Sequence, residues 1–283
     1  MKDFKDKVAV ITGAASGIGY GLAERAAKEG MKVVLAGINE NTLKKAENEI
    51  KKTDTTTLVV KTDVSKAEDV KNLAEKTLDA FGAVHLLFNN VGVSTGKGTM
   101  IWEDTLADWK WVLNVNLWGV IHGLYVFLPI MVNQNEEGHI VNTASIGGLV
   151  SSGMLVPYGV SKAAIIALSE NLDVQLKESK IPIGITVLCP GAVRTRINDA
   201  ERNRPVELTD EFEQPKTEKQ KHIEEIFANL NEQGMAPQEL ASLVFDAIRK
   251  NKLYLLSHPE HNEAIQQRAE ALLQATQSKN ENP

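Results

Sequence analysis

Short apolar runs alternate with longer amphipathic segments from the first residues onward. Residues 7–12 (KVAVIT) form a β-branched run, followed by a glycine cluster and an Ala-rich helical pattern to Lys28. Residues 32–36 (KVVLA) repeat the strand signal, and 40–52 show helical periodicity with many charges. Residues 57–61 (TLVVK) and 66–80 make a third such pair. Further strands are read at 84–88 (VHLLF), 139–142 (HIVN) and 184–188 (GITVL), with helices near 105–132 and 157–177. These strands are near-continuously apolar rather than alternating, as in a parallel sheet covered on both faces. The repeated βα units predict an α/β fold, doubly wound, with a mostly parallel sheet of about seven strands flanked by helices.

Beyond residue 188 the rhythm changes. Residues 194–236 are charged and show only a weak helical period around 219–230, so they are expected to form a mobile insertion over a substrate site. A helix at 237–250, a last strand at 253–256 (LYLL) and a terminal helix near 263–274 follow, with 278–283 expected to fray. No repeat or interdomain linker interrupts the pattern. It predicts one domain over 1–283: a core at 5–193, the insertion at 194–236 and a closing segment at 237–283.

Composition narrows the function classes. The chain has 283 residues, 43% of them apolar, with 31 Lys and Arg against 37 Asp and Glu, a net charge of −6. A mildly acidic chain without a basic stripe is a poor nucleic-acid or anionic-membrane binder. The single cysteine, Cys189, cannot pair within the chain and is expected to be a buried packing residue. The N-terminus lacks a secretory signal, so the expected location is cytoplasmic. Residues 111–132 are apolar enough to resemble a membrane span, but Asn114, Asn116 and His122 interrupt them. They are read as a helix buried in the fold or at a subunit interface. His85, His122 and His139 lack ligand spacing, so no metal is expected.

Between the first strand and first helix stands Thr12-Gly13-Ala14-Ala15-Ser16-Gly17-Ile18-Gly19. Gly13 permits a tight turn, Gly17 close approach of backbone to a pyrophosphate, and Gly19 close helix packing, while the helix N-terminus offers free N–H groups. In this context the loop favours a dinucleotide and a Rossmann-type domain. Its G-x-x-x-G-x-G spacing resembles the cofactor fingerprint of the short-chain dehydrogenase/reductase family. Further motifs resemble that family in the family's order: Asp63-Val64, Asn89-Asn90-Val91-Gly92 with Val in place of Ala, Asn116 in NVNLWG, Ser145 in VNTASIGG, Tyr158-x-x-x-Lys162, and Pro190-Gly191.

Tyr158 and Lys162, four residues apart, share one face of a helix. A free Tyr titrates at about 10, and a neighbouring ammonium is expected to lower that value. The resemblance implies that Tyr158 exchanges a proton with the substrate oxygen and that Ser145 donates to it. It also implies that Lys162 contacts the nicotinamide ribose and that Asn116 holds a proton-relay water. Gly13, Ser16, Gly17, Ile18 and Gly19 would hold the pyrophosphate, Asp63 and Val64 the adenine, and Asn90 and Gly92 the middle of the cofactor. Pro190, Gly191, Val193 and Thr195 would lie at the carboxamide.

At the end of the second strand, Gly37-Ile38-Asn39 lacks both the acidic residue of an NAD enzyme and the basic residue of an NADP enzyme. Lys44 and Lys45 are read as solvated. The cofactor expectation is NAD(P)(H), with a slight lean to NADP(H). The substrate is expected to be a hydrophobic ketone or secondary alcohol, lined by Ile146, Gly147, residues 151–156, Ala192 and the insertion at 196–230. The family pairs its corresponding helices across subunits, so a homodimer or homotetramer is expected. A cofactor-binding regulatory or scaffold protein without turnover is the alternative; enoyl reduction and dehalogenation on the same fold fit poorly, the first by the Tyr158–Lys162 spacing and the second by the glycine loop.

Overall fold

Strands β1 (Val8–Thr12), β2 (Lys32–Gly37), β3 (Thr57–Lys61), β4 (Leu86–Asn89), β5 (Gly138–Thr143), β6 (Ile183–Cys189) and β7 (Tyr254–Leu256) pair in parallel, in the order 3-2-1-4-5-6-7. The computed structural model describes residues 1–209 and 217–277. The expected fraying of 278–283, and residues 210–216 of the insertion, lie outside the described residues.

Alternate strand residues explain the two layers. Ala9, Ile11, Val33 and Leu35 face α1 (Gly17–Lys28), α2 (Glu40–Ile50) and a later helix over Pro237–Arg249. Val8, Val10, Val34 and Ala36 face α3 (Ala67–Phe81) and two helices drawn from the middle of the chain. The chain runs outward from β1 to β3 and then crosses back to place β4 on the other side of β1. A crevice opens at that reversal, at the carboxyl ends of the strands, which is where doubly wound sheets bind ligands.

The single helix expected at 105–132 is instead α4 (Leu106–Leu113), a π turn at Asn114–Trp118 and α5 (Gly119–Gln134). A π turn adds a residue to the helical repeat and redirects the side chains beyond it. The whole stretch is long and apolar enough to cross a membrane by length and composition, yet Val120, Leu124, Phe127 and Met131 are buried in the layer against the sheet. β4 starts two residues later than the apolar run; both main-chain groups of Val84 are taken by the Gln134 side chain at 2.8 Å.

α6 (Val156–Glu178) covers the same face. In the insertion, 3-10 turns occupy Ile197–Asn203 and Val206–Leu208, and α7 (Glu218–Gln233) starts at a Thr217–Gln220 capping box. The 3-10 turns carry no 3.6-residue period, which is why a periodicity reading passes over them. α8 (Pro237–Arg249) and α9 (Asn262–Gln277) complete the described helices.

Candidate active site at the carboxyl ends of the strands

The loops after β1 and β4 are stitched together at the crossover. Thr12 Oγ1 donates to the Phe88 carbonyl (3.1 Å) and accepts from the Asn90 N–H (2.9 Å), while Asn90 Nδ2 donates to the Thr12 carbonyl (3.1 Å). Gly17 opens α1 with φ +55, and a Cβ there would come 3.0 Å from Thr195 Cγ2. Gly19 lies against the Gly13 carbonyl, where a side chain would collide with Gly13 and with Asn90 Nδ2. The glycines therefore let the loop close on its neighbours while the helix N-terminus stays open to an anion.

A cleft of about 630 Å³ runs along this crevice. Gly13, Ser16, Gly17 and Ile18 line one end, with Gly37, Asp63 and Val64 beside them. Asn90, Gly92, Ser145, Tyr158, Lys162, Pro190, Gly191 and Val193 line it as well, and Thr195 lines it against Gly17. Gly19 and Asn116 stand behind the wall.

Ser145, at the end of β5, accepts from the Gly147 N–H (3.1 Å), which leaves its own hydrogen free to donate. Lys162 is buried, and its Nζ donates to the Thr143 carbonyl (2.8 Å) while standing 5.5 Å from the Tyr158 ring centre. Burial holds the Lys162 ammonium down to about 8. Tyr158 opens on the cleft and is otherwise closely surrounded; burial pushes its phenol above 10, and the Ser145 hydroxyl pulls the other way. The expected downward pull of Lys162 on Tyr158 is thus not the dominant influence: the ammonium lies over the ring face and is itself desolvated. Cys189 is pushed up to about 12 by burial, in keeping with a packing role.

The desolvated lysine has a measurable cost. Its folded value lies below the ordinary 10.5, so the unfolded chain binds its proton more readily between pH 8 and 10.5, and stability rises with pH across that window. Lys162→Met should therefore raise the melting temperature of the cofactor-free protein at pH 7, with a gain that fades toward pH 10.5. An unchanged melting temperature at pH 7 would contradict the desolvation.

Asn116 lies in the π turn, fully buried. Its Oδ1 accepts from the Val93 N–H (2.8 Å), and its Nδ2 donates to the Val93 carbonyl and the Ser161 hydroxyl (both 3.0 Å). Both side-chain donors are spent on positioning, so a relay water there would have to use the main chain or the remaining Oδ1 lone pair.

Trp111, Val115, Ile197, Ala200 and Leu208 add an apolar wall to the cleft, which Arg196 and Arg202 also line. Ile197, Ala200 and Leu208 belong to the insertion, and Gly147 lies beside the site, where a Cβ would come 3.6 Å from Ser145 Oγ. The roles of Thr12, Thr143, Ser161 and Trp111 escape a reading by motif, even where the residue stands inside one. Three of them act through main-chain or buried partners that leave no spacing signal, and Trp111 reads as a core residue. The glycine cradle, the open helix N-terminus and the length of the cleft fit a dinucleotide.

Comparison with known proteins agrees with this geometry. Residues 7–205 match the short chain dehydrogenase family profile. The chain is 36% identical over 276 residues to the CLA biosynthesis dehydrogenase/reductase of Lactiplantibacillus plantarum, covering 96% of this chain and 95% of that one. It is 32% identical over 276 residues to the C alpha-dehydrogenase of Sphingobium sp., covering 96% and 87%. A crystal structure of a short chain dehydrogenase/reductase from Burkholderia phymatum in complex with NAD superposes with a TM-score of 0.93 at 42% identity, covering 97% of each chain. The chain belongs to the short-chain dehydrogenase/reductase family of nicotinamide-dependent oxidoreductases.

Proposed function

We propose that this protein interconverts a hydrophobic ketone and the corresponding secondary alcohol, using NAD(P)(H). The observation that carries this reading is the convergence of Ser145, Tyr158 and Lys162 on the same cleft that the glycine loop lines. Nicotinamide, when bound, supplies or accepts the hydride. Tyr158 gives its phenolic proton to the carbonyl oxygen in reduction and takes the alcohol proton in oxidation. Ser145 donates its free hydroxyl hydrogen to the same oxygen, stabilising the charge that develops there. Lys162, steered by the Thr143 carbonyl, brings positive charge to Tyr158 and reaches the ribose. Asn116 fixes Val93 and the Ser161 hydroxyl, and so the spacing between the π turn and α6.

The glycine loop takes the pyrophosphate, Asp63 and Val64 the adenine, Asn90 and Gly92 the middle, and the Pro190–Thr195 turn the carboxamide. Trp111, Val115, Ile197, Ala200 and Leu208 favour an apolar substrate, over which the insertion serves as a lid. The exposed side chains of Trp118 in the π turn, Tyr125 on α5, and Val160 and Val174 on α6 support a homodimer or homotetramer. The proposed compartment is the cytoplasm. Steady-state reduction of a panel of small ketones, with NADH and NADPH in parallel, tests the reading. Turnover is expected with at least one pair; tight cofactor binding without turnover on any apolar ketone or alcohol would move the protein to the binding-only class.

The lean is to NADP(H). Gly37 leaves the end of β2 without a carboxylate to repel a phosphate, and strand pairing puts Lys61 in register with Gly37. A Cβ at Gly37 would meet only the Leu43 side chain, at 3.6 Å, so a larger residue fits there. Gly37→Asp should shift the ratio of kcat/KM toward NADH by about tenfold, the effect of roughly 1.4 kcal/mol. An unchanged ratio would show that this strand end does not read the 2′ position.

A further inference from the structure

The turn after β6 is tied down from three sides. The Pro190 carbonyl accepts from the Ile146 N–H (2.9 Å), which couples the turn to the segment beside Ser145. The Met235 N–H donates to the Ala192 carbonyl and the Arg194 N–H to the Met235 carbonyl, each at 3.0 Å. The third tie comes from His258. β7 pairs with β6 so that Leu256 lies opposite Cys189, which brings Ser257 and His258 level with the turn.

The imidazole spans one peptide unit. The Gly191 N–H donates to Nδ1 (3.0 Å), and Nε2 stands 2.9 Å from the Ala192 carbonyl. A main-chain N–H can only donate and a carbonyl can only accept, so the backbone imposes the neutral ring with its hydrogen on Nε2. The Ser257 hydroxyl lies 2.8 Å from the same Nδ1. Contact is close enough that a Cβ at Gly191 would come 2.7 Å from His258 Cγ. Gly191 is therefore required here by the ring as well as by the turn.

We infer that His258 is a positioning residue for the nicotinamide end of the cofactor. It is not on the cleft wall, whereas Pro190, Gly191, Val193 and Thr195 are. By splinting the Gly191–Ala192 peptide it sets the direction in which Val193 and Thr195 face the cleft. The inference rests on the reading that this turn meets the nicotinamide.

Equilibrium binding to the full chain tests it, with NADH compared against ADP-ribose and NADPH against the 2′-phosphate of ADP-ribose, each pair differing only by the nicotinamide. The wild-type protein should bind a reduced dinucleotide more tightly than its nicotinamide-free counterpart. Equal affinities would overturn the underlying reading of the turn, whatever His258 does. His258→Ala should weaken dinucleotide binding about tenfold, the loss expected for two hydrogen bonds, and leave binding of the nicotinamide-free counterpart unchanged within about twofold. His258→Asn keeps an acceptor near the Gly191 N–H and His258→Gln a donor near the Ala192 carbonyl, so each should recover part of the loss. A parallel fall for both ligands would mark a merely structural residue and overturn the proposal, as would wild-type dinucleotide affinity in the alanine variant. If His258→Ala does not fold, the same comparison on the Asn and Gln variants decides, and a wild-type ratio in both overturns it.

Discussion

Tyr158→Phe is expected to bind NADPH or NADH like the wild-type protein and to lose nearly all turnover, by roughly 10²–10⁴-fold, the range over which positioned acid–base groups act. The substitution removes one oxygen from a side chain that opens on the cleft, leaving the ring and its contact with Lys162 Nζ, 5.5 Å away, in place. Cofactor affinity separates loss of the proton from loss of the site. The Lys162 tether to the Thr143 carbonyl and the Ser145 turn do not depend on the phenol. Substantial remaining turnover would assign the proton transfer to another group, and a collapse of cofactor binding would make Tyr158 a scaffold residue.

Asp108→Ala should lower stability by about 3–5 kcal/mol, as when one partner of a buried ion pair is removed. That corresponds to a drop in melting temperature of roughly 10 °C for a chain of this size. Asp108 is fully buried in the first turn of α4. It accepts from Lys97 Nζ (2.9 and 3.0 Å), from Arg204 Nη1 (2.7 Å) and from the N–H and hydroxyl of Thr105 (3.1 Å each). Burial alone would raise its titration, but the Lys97 and Arg204 hydrogen bonds outweigh that and hold the carboxyl below the usual carboxylate range. With the folded value depressed, its contribution is present above the ordinary carboxylate range and is lost as pH falls through the folded value. Arg204 also lies over the Trp111 ring, 5.1 Å from its centre, so the pair joins the insertion to a residue of the cleft wall. Substrate KM should therefore rise together with the loss of stability. A melting temperature within a degree or two of wild type would mean that the insertion is held by apolar packing instead.

Some of this was legible from residue order alone. The apolar runs at 7–12 and 32–36 read as strands covered on both faces, and the glycines between strand and helix point to the crevice. The four-residue spacing of Tyr158 and Lys162 is a property of any helix that carries them. What escaped was made by groups every residue has. Lys162 is steered by the carbonyl of Thr143, and Asn116 by the main chain of Val93. His258 reaches a peptide 67 residues earlier in the chain. None of these partners leaves a side-chain signature. The direction of the Tyr158 shift also depends on where the Lys162 ammonium sits relative to the ring, which helical spacing does not fix.

The strand order has a consequence for how the polypeptide reaches this state. β1 pairs on one side with β2 and on the other with β4, which begins at Leu86, so half of its partner set arrives only after β2 and β3 have been made. Parallel neighbours cannot be joined by a hairpin, and each pairing must close a long loop before it gains stability. Such non-local assembly is slow and leaves apolar strands exposed meanwhile. The last strand, Tyr254–Leu256, can dock only after the six other strands have been made. A nascent chain stopped before it would present β6 as an open apolar edge, a species for chaperones rather than a partly active enzyme.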